Sequence, residues 1–180
     1  MRAGAYDQRT GPNVFGASEP YGPLAERPDV LVFETPPLDG GLEVTGPVTV
    51  RLWIASDCPD TDCTAKLIDV YPPNKDYPEG FAMNLTEGIL RVRHRDSWER
   101  PSPMVPGETY AITIELFPTS NLFTSDHRLR LDISSSNFPH FDVNPNSGGP
   151  EGTMERPRIA RNQVLVDAAH PSHIVLPVIP

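Results

Sequence analysis

The stretch that decides the fold is LRLDISSSNFPHFD, residues 129–142, in which an alternating segment ends in a turn rich in small polar and aromatic residues. Leu129, Leu131 and Ile133 fall on one face at a period of two, whereas the charged residues between them fall on the other. This alternation predicts a half-buried antiparallel strand. The small polar residues that follow, up to Gly149, predict a wide loop whose hydroxyl and amide groups bind its own backbone.

Period-two alternation, or a short apolar run bounded by turn residues, recurs in many segments of the chain. These predicted strands are residues 30–33, 42–45, 48–54, 65–71, 81–84, 88–92, 110–116, 129–133, 163–167 and 174–178. Segments 65–71 and 81–84 flank a proline-rich loop and predict a hairpin. The 22 prolines exclude a helical bundle, because proline breaks helix interiors. So many strands need a second sheet to bury their apolar faces, and the sequence predicts an all-β fold, a two-sheet sandwich of the jelly-roll type.

The chain divides into an arm and one domain. Residues 1–28 are rich in glycine, proline and charge and lack periodicity, so they are interpreted as an extended N-terminal arm or linker, and residues 29–180 as the jelly-roll domain. A chain of 180 residues can bury one core without disulfides or metals. The N-terminus has no apolar signal region, and no apolar run is long enough to cross a bilayer. We therefore expect no membrane partner and a soluble protein, with the cytoplasm favoured.

Charge argues against a nucleic-acid partner. The formal net charge is −9 and the isoelectric point about 4.9, so an extended surface that neutralises phosphates is not expected. Basic residues gather between positions 91 and 100, but Asp96 and Glu99 lie among them. The segment is interpreted as a strand end or an intramolecular docking face rather than a phosphate site. Its basic residues are Arg91, Arg93, His94, Arg95 and Arg100.

The two cysteines, Cys58 and Cys63, are too few for a disulfide scaffold. Their spacing allows a small disulfide-closed loop or two free thiols, and both alternatives stay open. No further Cys or His pair completes a zinc site. We expect no cofactor.

The sequence lacks the residues of an α/β-hydrolase active site. No G-x-S-x-G pentapeptide exists, and the nearest approach, GASEP at residues 16–20, has Pro20 in place of the second glycine. Serines 134–136, His140 and Asp142 are close in sequence, but residues of one loop seldom reach the geometry of a triad. We interpret them as loop supports and assign no catalytic residue.

Two clusters of oxygen side chains are similar to part of a calcium loop. Asp142, Asn144 and Asn146 recur at every second position, but the glycine comes one place late and no glutamate follows at the twelfth position. The second cluster consists of Asp57, Asp60 and Asp62. Both are interpreted as turn caps, because Asp and Asn commonly bind the backbone of turns, and no metal is expected.

Four segments, which together cover most of residues 29–180, carry a family resemblance. They are residues 27–33 with 42–47, residues 60–70 continuing to 84–91, residues 118–128 with the stretch SSSNFPHFDVNPNSGG at 134–149, and residues 170–180. In their order and combination they are similar to the C-terminal non-catalytic domain of X-Pro dipeptidyl peptidases, cocaine esterases and α-amino-acid ester hydrolases, the CocE/NonD family of serine hydrolases. Cys63, where the family usually has an aromatic residue, and the longer 72–80 loop depart from that pattern.

The resemblance implies a galactose-binding-like jelly roll that packs on an α/β-hydrolase domain and helps to shape its substrate pocket. It implies that this partner, upstream in the same chain or in trans, carries the triad and hydrolyses esters or Xaa-Pro peptides; a homo-oligomer is a further possible partner. The expected pocket wall comes from the loops at 137–146 and 57–63. Its candidate residues are Asn137, Phe138, His140, Phe141 and Asp142.

A second functional hypothesis is a free-standing module that binds carbohydrate or another ligand, since jelly rolls often hold sugars against exposed aromatic platforms. The candidate platforms are Trp53, Tyr71, Tyr77 and Trp98. Trp53 lies on a predicted strand, where packing is the alternative interpretation.

Overall fold

The computed structural model describes residues 22–150, 152–153 and 156–180. These residues form eleven β-strands and two short 3₁₀ turns, at Leu24–Glu26 and Val92–His94. The strands are β1 Val30–Glu34, β2 Leu42–Gly46, β3 Thr49–Ser56, β4 Asp62–Tyr71, β5 Phe81–Arg91, β6 Thr109–Glu115, β7 Thr119–Phe123, β8 Arg128–Ser134, β9 Asn162–Leu165, β10 His173–Val175 and β11 Val178–Ile179. Residues 1–21 of the predicted arm lie outside the described residues, and the boundary at residue 28 stays a prediction. The described segments contain no helix long and apolar enough to cross a bilayer.

One layer of the fold is a four-stranded antiparallel sheet with the strand order β1-β8-β4-β5. The hairpin predicted across the 72–80 loop is confirmed, since β4 pairs with β5. The sequence predicted two strands between residues 81 and 92, whereas β5 is continuous. The register shifts between Leu67 and Ile68, which leaves Leu85 of β5 as an extra residue. Such a bulge reverses the phase of the period-two pattern, and this is why the alternation appeared to end there.

The other layer consists of three long antiparallel strands, each bent in the middle. β2 continues as β3, β6 as β7, and β10 as β11. Each strand in the order β11-β2-β7 is therefore the continuation of the strand at the same position in the order β10-β3-β6. β9 pairs with the far end of β3, on the same edge as β10. Each bend contains a proline: Pro47, Pro118 or Pro177. Because proline cannot donate a ladder hydrogen bond, the ladder is interrupted at the same level in all three strands.

The hydrophobic core lies between the two layers, and the predicted all-β, two-sheet sandwich is confirmed. Apolar residues of β3 and β6 pack from one layer against those of β4 and β8 in the other. The fully buried apolar side chains of this core include Val44, Val48, Val50, Ile54, Leu67, Val92, Ile114 and Phe123. The jelly-roll connectivity stays a prediction.

The two layers meet directly along one side of the sandwich, which we call the closed side. There the edge strand β5 lies against the end of β6. Thr86 Oγ1 donates to the carbonyl of Phe117 at 2.6 Å, and the Phe117 N–H donates to the carbonyl of Glu87 at 3.4 Å. A Cβ added to Gly88 would lie 2.5 Å from the carbonyl oxygen of Glu115, so only glycine allows this close approach.

The opposite side, which we call the open side, lies between β1 of the first layer and β9 and β10 of the second. A groove of about 460 Å³ separates these edges. Leu31 and Phe33 of β1 pair with Ile133 and Leu131 of β8 and therefore face the same side as the core, yet they are 44% and 40% exposed. Among the described residues, the second layer does not extend far enough to cover these two side chains.

The prediction that β8 is half-buried is wrong. Arg130 and Asp132, on the face that the alternation assigned to solvent, are both buried. They bind each other through hydrogen bonds of 2.9 and 3.0 Å. On the same sheet face, Leu24 of the first 3₁₀ turn packs against Val30 and Val32 of β1. Charged residues that pair with each other can be buried, and alternation alone does not show this.

Two further differences concern strands of the second layer. β7, with the sequence TSNLF, was not predicted because its first three residues are polar. The strand predicted at 174–178 is divided into β10 and β11, because Pro177 lies at the bend.

Candidate functional site

The 135–150 loop follows β8 and contains all five residues that the sequence analysis placed in a pocket wall. Its start is fixed by serine hydroxyls. Ser134 Oγ shares a hydrogen bond of 2.6 Å with Thr64 Oγ1 and donates to the carbonyl of Ser136 at 3.1 Å. Ser135 Oγ accepts a hydrogen bond from Asn162 Nδ2 at 2.7 Å. The serines therefore connect the loop to β4 and β9.

The middle of the loop is attached to β5 through one buried carboxylate. Glu87 Oε2 accepts a hydrogen bond from Asn137 Nδ2 at 3.1 Å, and Glu87 Oε1 lies 2.6 Å from His140 Nδ1. The same carboxylate forms an ion pair of 3.0 Å with Lys66 of β4. Burial by itself would raise the pKa of Glu87, but the charge of Lys66 and the hydrogen bonds of the three partners lower it. Burial lowers the pKa of Lys66.

A second buried group of carboxylates holds the loop at Asn144. Asn144 Nδ2 donates to Asp60 Oδ2 at 2.9 Å and to Asp62 Oδ1 at 2.8 Å. Asp60 is paired with Arg93 at 2.6 Å and Asp62 with Arg91 at 3.0 Å. Burial raises the pKa of Asp62 in spite of these hydrogen bonds. The loop is thus held at two places by carboxylates that are already paired with cations.

The five predicted wall residues comprise one buried and four accessible side chains. Asn137 is 1% exposed, and its amide is turned into the protein. Phe138, His140 and Asp142 are exposed and Phe141 is half-buried. The His140 ring stacks on Phe141, with centroids 4.4 Å apart and an angle of 11° between the ring planes. The loop therefore presents two aromatic rings, an imidazole and a carboxylate.

Two of these residues, Phe138 and Asp142, line a cavity of about 330 Å³. Its wall also includes the side chains of Arg91 and Arg93 and the chain from Val143 to Pro145 and from Gly149 to Thr153, as far as that part is described. Both guanidinium groups are paired with buried aspartates. The cavity therefore combines an aromatic ring and the carboxylate of Asp142 with two arginines whose charges are already compensated.

The hydrogen bonds of the loop are those of a supporting structure. His140 contacts Glu87, and the three serine hydroxyls bind other side chains or the loop backbone. Asn144 Oδ1 accepts the N–H of Asn146 at 2.8 Å, so one of the alternating oxygen residues caps a turn, as predicted. Within the described ranges, no three His, Cys, Asp or Glu side chains come together in a way that could hold a metal ion.

The second predicted wall segment, residues 57–63, is mostly buried, and its place in a pocket wall stays a prediction. Asp57 is exposed, and its Oδ1 accepts the N–H of Arg161 at 2.8 Å. The buried residues are Cys58, Asp60, Thr61, Asp62 and Cys63. Both cysteines are free thiols, and burial raises the pKa of Cys63 to about 12. This segment supports the 135–150 loop through the hydrogen bonds of Asp60 and Asp62 with Asn144.

The basic segment at 91–100 makes contacts within the molecule. Beyond the ion pairs of Arg91 and Arg93, Arg95 Nη1 donates to the carbonyl of Ser102 at 2.5 Å. The Arg95 guanidinium also lies 4.3 Å from the centre of the Tyr110 ring. These contacts favour the predicted intramolecular docking role.

The four aromatic residues considered as sugar platforms lie at three separate places. Trp53 packs edge-on against one histidine, and Trp98 stacks on another. Tyr71 and Tyr77 both contact Phe81. A shared binding platform would require these rings to lie side by side.

Lys66 and Glu87 were not singled out by the sequence analysis, although they carry the central contacts of the loop. Each lies within a predicted or observed strand that is otherwise mostly apolar or neutral. A single lysine and a single glutamate on adjacent strands of a hairpin are the signal that could have revealed the pair.

A comparison with family profiles identifies the architecture that carries this loop. The profile described as the X-Pro dipeptidyl-peptidase C-terminal non-catalytic domain matches residues 3–175. The chain belongs to this family. The resemblance predicted from the sequence is thereby confirmed, and the domain is of the non-catalytic C-terminal type found in CocE/NonD hydrolases.

Individual relatives of this X-Pro dipeptidyl-peptidase C-terminal domain are much longer proteins. The cocaine esterase of Rhodococcus sp. (strain MB1 Bresler) is 42% identical over 159 residues, which are 87% of this chain and 27% of the esterase. An aminopeptidase from the marine sediment archaeon Thaumarchaeota archaeon superposes with a TM-score of 0.82 at 33% identity, over 87% of this chain and 27% of its own. An α-amino acid ester hydrolase superposes with a TM-score of 0.81 at 33% identity, over 86% of this chain and 26% of its own. The chain spans about a quarter of the length of these relatives.

Proposed function

We propose that this chain is the C-terminal domain of a larger serine hydrolase and packs on an α/β-hydrolase region that carries the catalytic residues. The family match and the length of the relatives support this proposal. The names of two relatives, a cocaine esterase and an α-amino acid ester hydrolase, indicate esters, whereas the family description indicates X-Pro dipeptides. The proposed activity of the whole enzyme is therefore the hydrolysis of esters or Xaa-Pro peptides.

The observation that carries the docking proposal is the uncovered open side. Leu31 and Phe33 face the core side of the sheet but remain exposed, next to a groove of about 460 Å³. The apolar lining of this groove comprises Phe33, Leu52, Leu67, Leu129, Leu131, Val164, Val166, Ile174 and Leu176. Contiguous apolar surface of this kind marks an interaction site in a globular domain.

The hydrolase region is the occupant that we propose for the open side. About three quarters of each relative lies outside the part that this chain matches, so a large surface is available to cover β1 and the groove. When the chain is alone, a second copy can occupy the same apolar surface, which is the basis on which we propose self-association. Burial of Leu31 and Phe33 would stabilise either complex.

We further propose that the 135–150 loop forms part of the substrate-pocket wall of the assembled enzyme. Phe138, His140, Phe141 and Asp142 are the accessible wall residues of this proposal, and Asn137 is their buried support. Aromatic rings with few, well-placed polar groups are typical of small-molecule sites. A cytoplasmic location is also a proposal, supported by the two free thiols, because oxidising compartments favour disulfides.

A chimera tests the docking proposal. This chain replaces the matching region of the Rhodococcus cocaine esterase, and hydrolysis of a chromogenic ester is measured. We expect an active chimera that is labelled by a fluorophosphonate probe, and an unlabelled, inactive isolated chain. Phe33→Asp should lower the activity of the chimera at least about tenfold, because it places an unpaired charge in an apolar interface.

Trp98→Asp is the matched control, since Trp98 is an exposed aromatic residue that stacks on His94, away from the groove lining. Equal activity and equal thermal stability of the Phe33→Asp and Trp98→Asp chimeras would refute docking through the open side. Stoichiometric labelling of the isolated chain by the probe would refute the non-catalytic role.

A further inference from the structure

The Lys66–Glu87 ion pair lies on the outer face of the first layer, beneath the 135–150 loop. Lys66 is 1% exposed and is among the largest fully buried side chains. Glu87 is also buried, and its two carboxylate oxygens are shared among Lys66, Asn137 and His140. One carboxylate therefore connects a strand of the sheet to two positions of the loop.

Stability alone gives a weak account of this pair. The desolvation of two buried charges offsets much of their mutual attraction, and well-packed apolar residues often replace such a pair without loss of stability. An apolar residue at position 87 could pack against β4, but it could not accept hydrogen bonds from Asn137 or His140. The carboxylate is thus required by the loop rather than by the sheet.

The contacts of Glu87 reach the aromatic residues of the loop in two ways. His140, which lies 2.6 Å from Glu87, presents its ring face to Phe141, so the carboxylate fixes the plane against which Phe141 stacks. The carbonyl of Asn137 accepts the N–H groups of His140 and Phe141 at 3.0 and 3.3 Å. The side chain of Asn137 is itself bound to Glu87. Release of this side chain would loosen the turn that carries both rings.

The segment between Asn137 and Asn144 is held at both ends and is accessible between them. Asn144 binds Asp60 and Asp62, as described above, and Asn137 binds Glu87. The accessible residues between these anchors include Phe138 and Asp142, which both contribute to the wall of the 330 Å³ cavity. The arrangement is that of a short span fixed at one end by Glu87 and at the other end by Asp60 and Asp62.

We propose that Glu87, charged and oriented by Lys66, is a positioning residue that sets the geometry of the pocket wall through Asn137 and His140. The inference rests on the proposed function in one respect, namely that the loop faces a substrate. Glu87 itself does not touch substrate in this proposal. Its effect on specificity is exerted by Phe138 and Phe141.

The first test uses the isolated chain and needs no substrate. In the double variant Lys66→Met/Glu87→Leu, an apolar pair replaces the ion pair, and hydrogen exchange is measured by mass spectrometry. Within residues 138–142, the amides of His140 and Phe141, which bind the carbonyl of Asn137, should exchange at least about tenfold faster than in the wild type, because two hydrogen bonds to a charged group are lost. The amides of β4, β5 and β8 should keep their protection. Unchanged exchange at 138–142 in a folded double variant would overturn the proposal.

A matched control is available on the same face of the sheet. Arg130 and Asp132 form a buried ion pair on β8 whose hydrogen bonds join the two side chains to each other. The variant Arg130→Met/Asp132→Leu removes as much buried charge without removing an anchor of the loop. It should leave the exchange of residues 138–142 unchanged, and equal acceleration in both double variants would overturn the positioning role.

The second test separates the positioning role from the wall proposal. In the chimera with the cocaine esterase region, the ratio of kcat/KM for two esters of different acyl size is measured. We expect Phe141→Ala and Lys66→Met/Glu87→Leu to change this ratio in the same direction. If Phe141→Ala and Phe138→Ala leave it unchanged, the wall proposal fails while the exchange result still decides on positioning. If Phe141→Ala changes the ratio and the double variant does not, the positioning proposal fails and the wall remains.

Discussion

The closed and open sides of the sandwich are bordered by edge strands of the same sheets, but the two sides end differently. On the closed side, β5 approaches β6 so closely that Gly88 has no room for a Cβ, and hydrogen bonds cross between the layers. On the open side, Leu31 and Phe33 face inward, and within the described part of the chain no strand of the second layer lies above them. On the closed side, the backbones of the two layers are in contact, whereas on the open side apolar side chains are exposed.

This difference indicates where the chain holds its own fold and where it offers a surface. A residue of the closed side contacts the rest of this domain, so its replacement should be detected in the isolated chain. A residue of the open side should have little effect until a second protein surface is present. The following predictions measure the contrast in decreasing order of effect.

The largest effect is expected from a matched pair of aliphatic truncations. Ile114→Ala, in the fully buried part of β6, should reduce the free energy of unfolding by about 2–5 kcal/mol, because it removes buried methyl groups and leaves a cavity. Leu31→Ala, on the open side, should cost about 1 kcal/mol or less, since almost half of that side chain is already exposed. Urea unfolding of the isolated chain, followed by circular dichroism, measures both values.

Similar losses for the two variants would remove the contrast. A large loss at Leu31 would mean that the open side is covered within the isolated chain or by a second copy. Dependence of that loss on protein concentration would identify the second copy.

A smaller effect is expected where the layers touch. Gly88→Ala should lower the free energy of unfolding by about 1–3 kcal/mol, because the new methyl group meets the backbone of β6. That backbone cannot move away without separating the two layers on the closed side. Gly40→Ala is the control, since a Cβ there meets no atom within 4 Å, and its cost should stay within about 0.5 kcal/mol. Thermal unfolding of both variants provides the comparison. Equal melting temperatures would show that the two layers can separate on the closed side without loss of stability.

The sequence predicted the sandwich well where each apolar residue faces the core. Alternation identified β3 and β6 with the correct faces, because their inward valines and isoleucines are buried. It failed at Leu85, where one extra residue reverses the phase, at β7, whose first three residues are polar, and at Pro177, which divides one predicted strand into two. Local pattern carries no information on register between strands that are remote in sequence.

The candidate site was predictable to a smaller degree. The loop and its aromatic residues could be named from a family resemblance, and their role in a pocket wall stays a prediction. Lys66 and Glu87 could not be recognised by alternation, which interprets charged residues as a solvent face. The burial of Glu87 depends on Asn137 and His140, which lie about fifty residues further along the chain. The burial of residues 57–63 was unpredictable for the same reason, because the carboxylates of Asp60 and Asp62 bind an asparagine of a distant loop.

The smallest effect is expected from acid, and it concerns the closed-side strand β5 itself. The pKa of Glu87 in the folded chain is lowered from the value of 4.5 that an unperturbed glutamate has. The ionised carboxylate therefore contributes stability that is fully present above pH 4.5 and is lost as the pH falls through the lowered pKa. The difference in unfolding free energy between the wild type and Lys66→Met/Glu87→Leu should change in favour of the variant as the pH falls below about 4.5.

Other acidic groups do not reverse this sign. Burial raises the pKa of Asp132, and the charge of Lys66 opposes that rise. Removal of Lys66 raises the pKa of Asp132 further, so protonation stabilises the variant more than the wild type as the pH falls, which adds to the expected change. Urea unfolding at pH 7, 5, 4 and 3.5 measures the difference. An equal difference at pH 5 and at pH 3.5 would mean that the charge of Glu87 contributes nothing to the stability of the fold. The buried pair would then have to be explained without an ionised carboxylate.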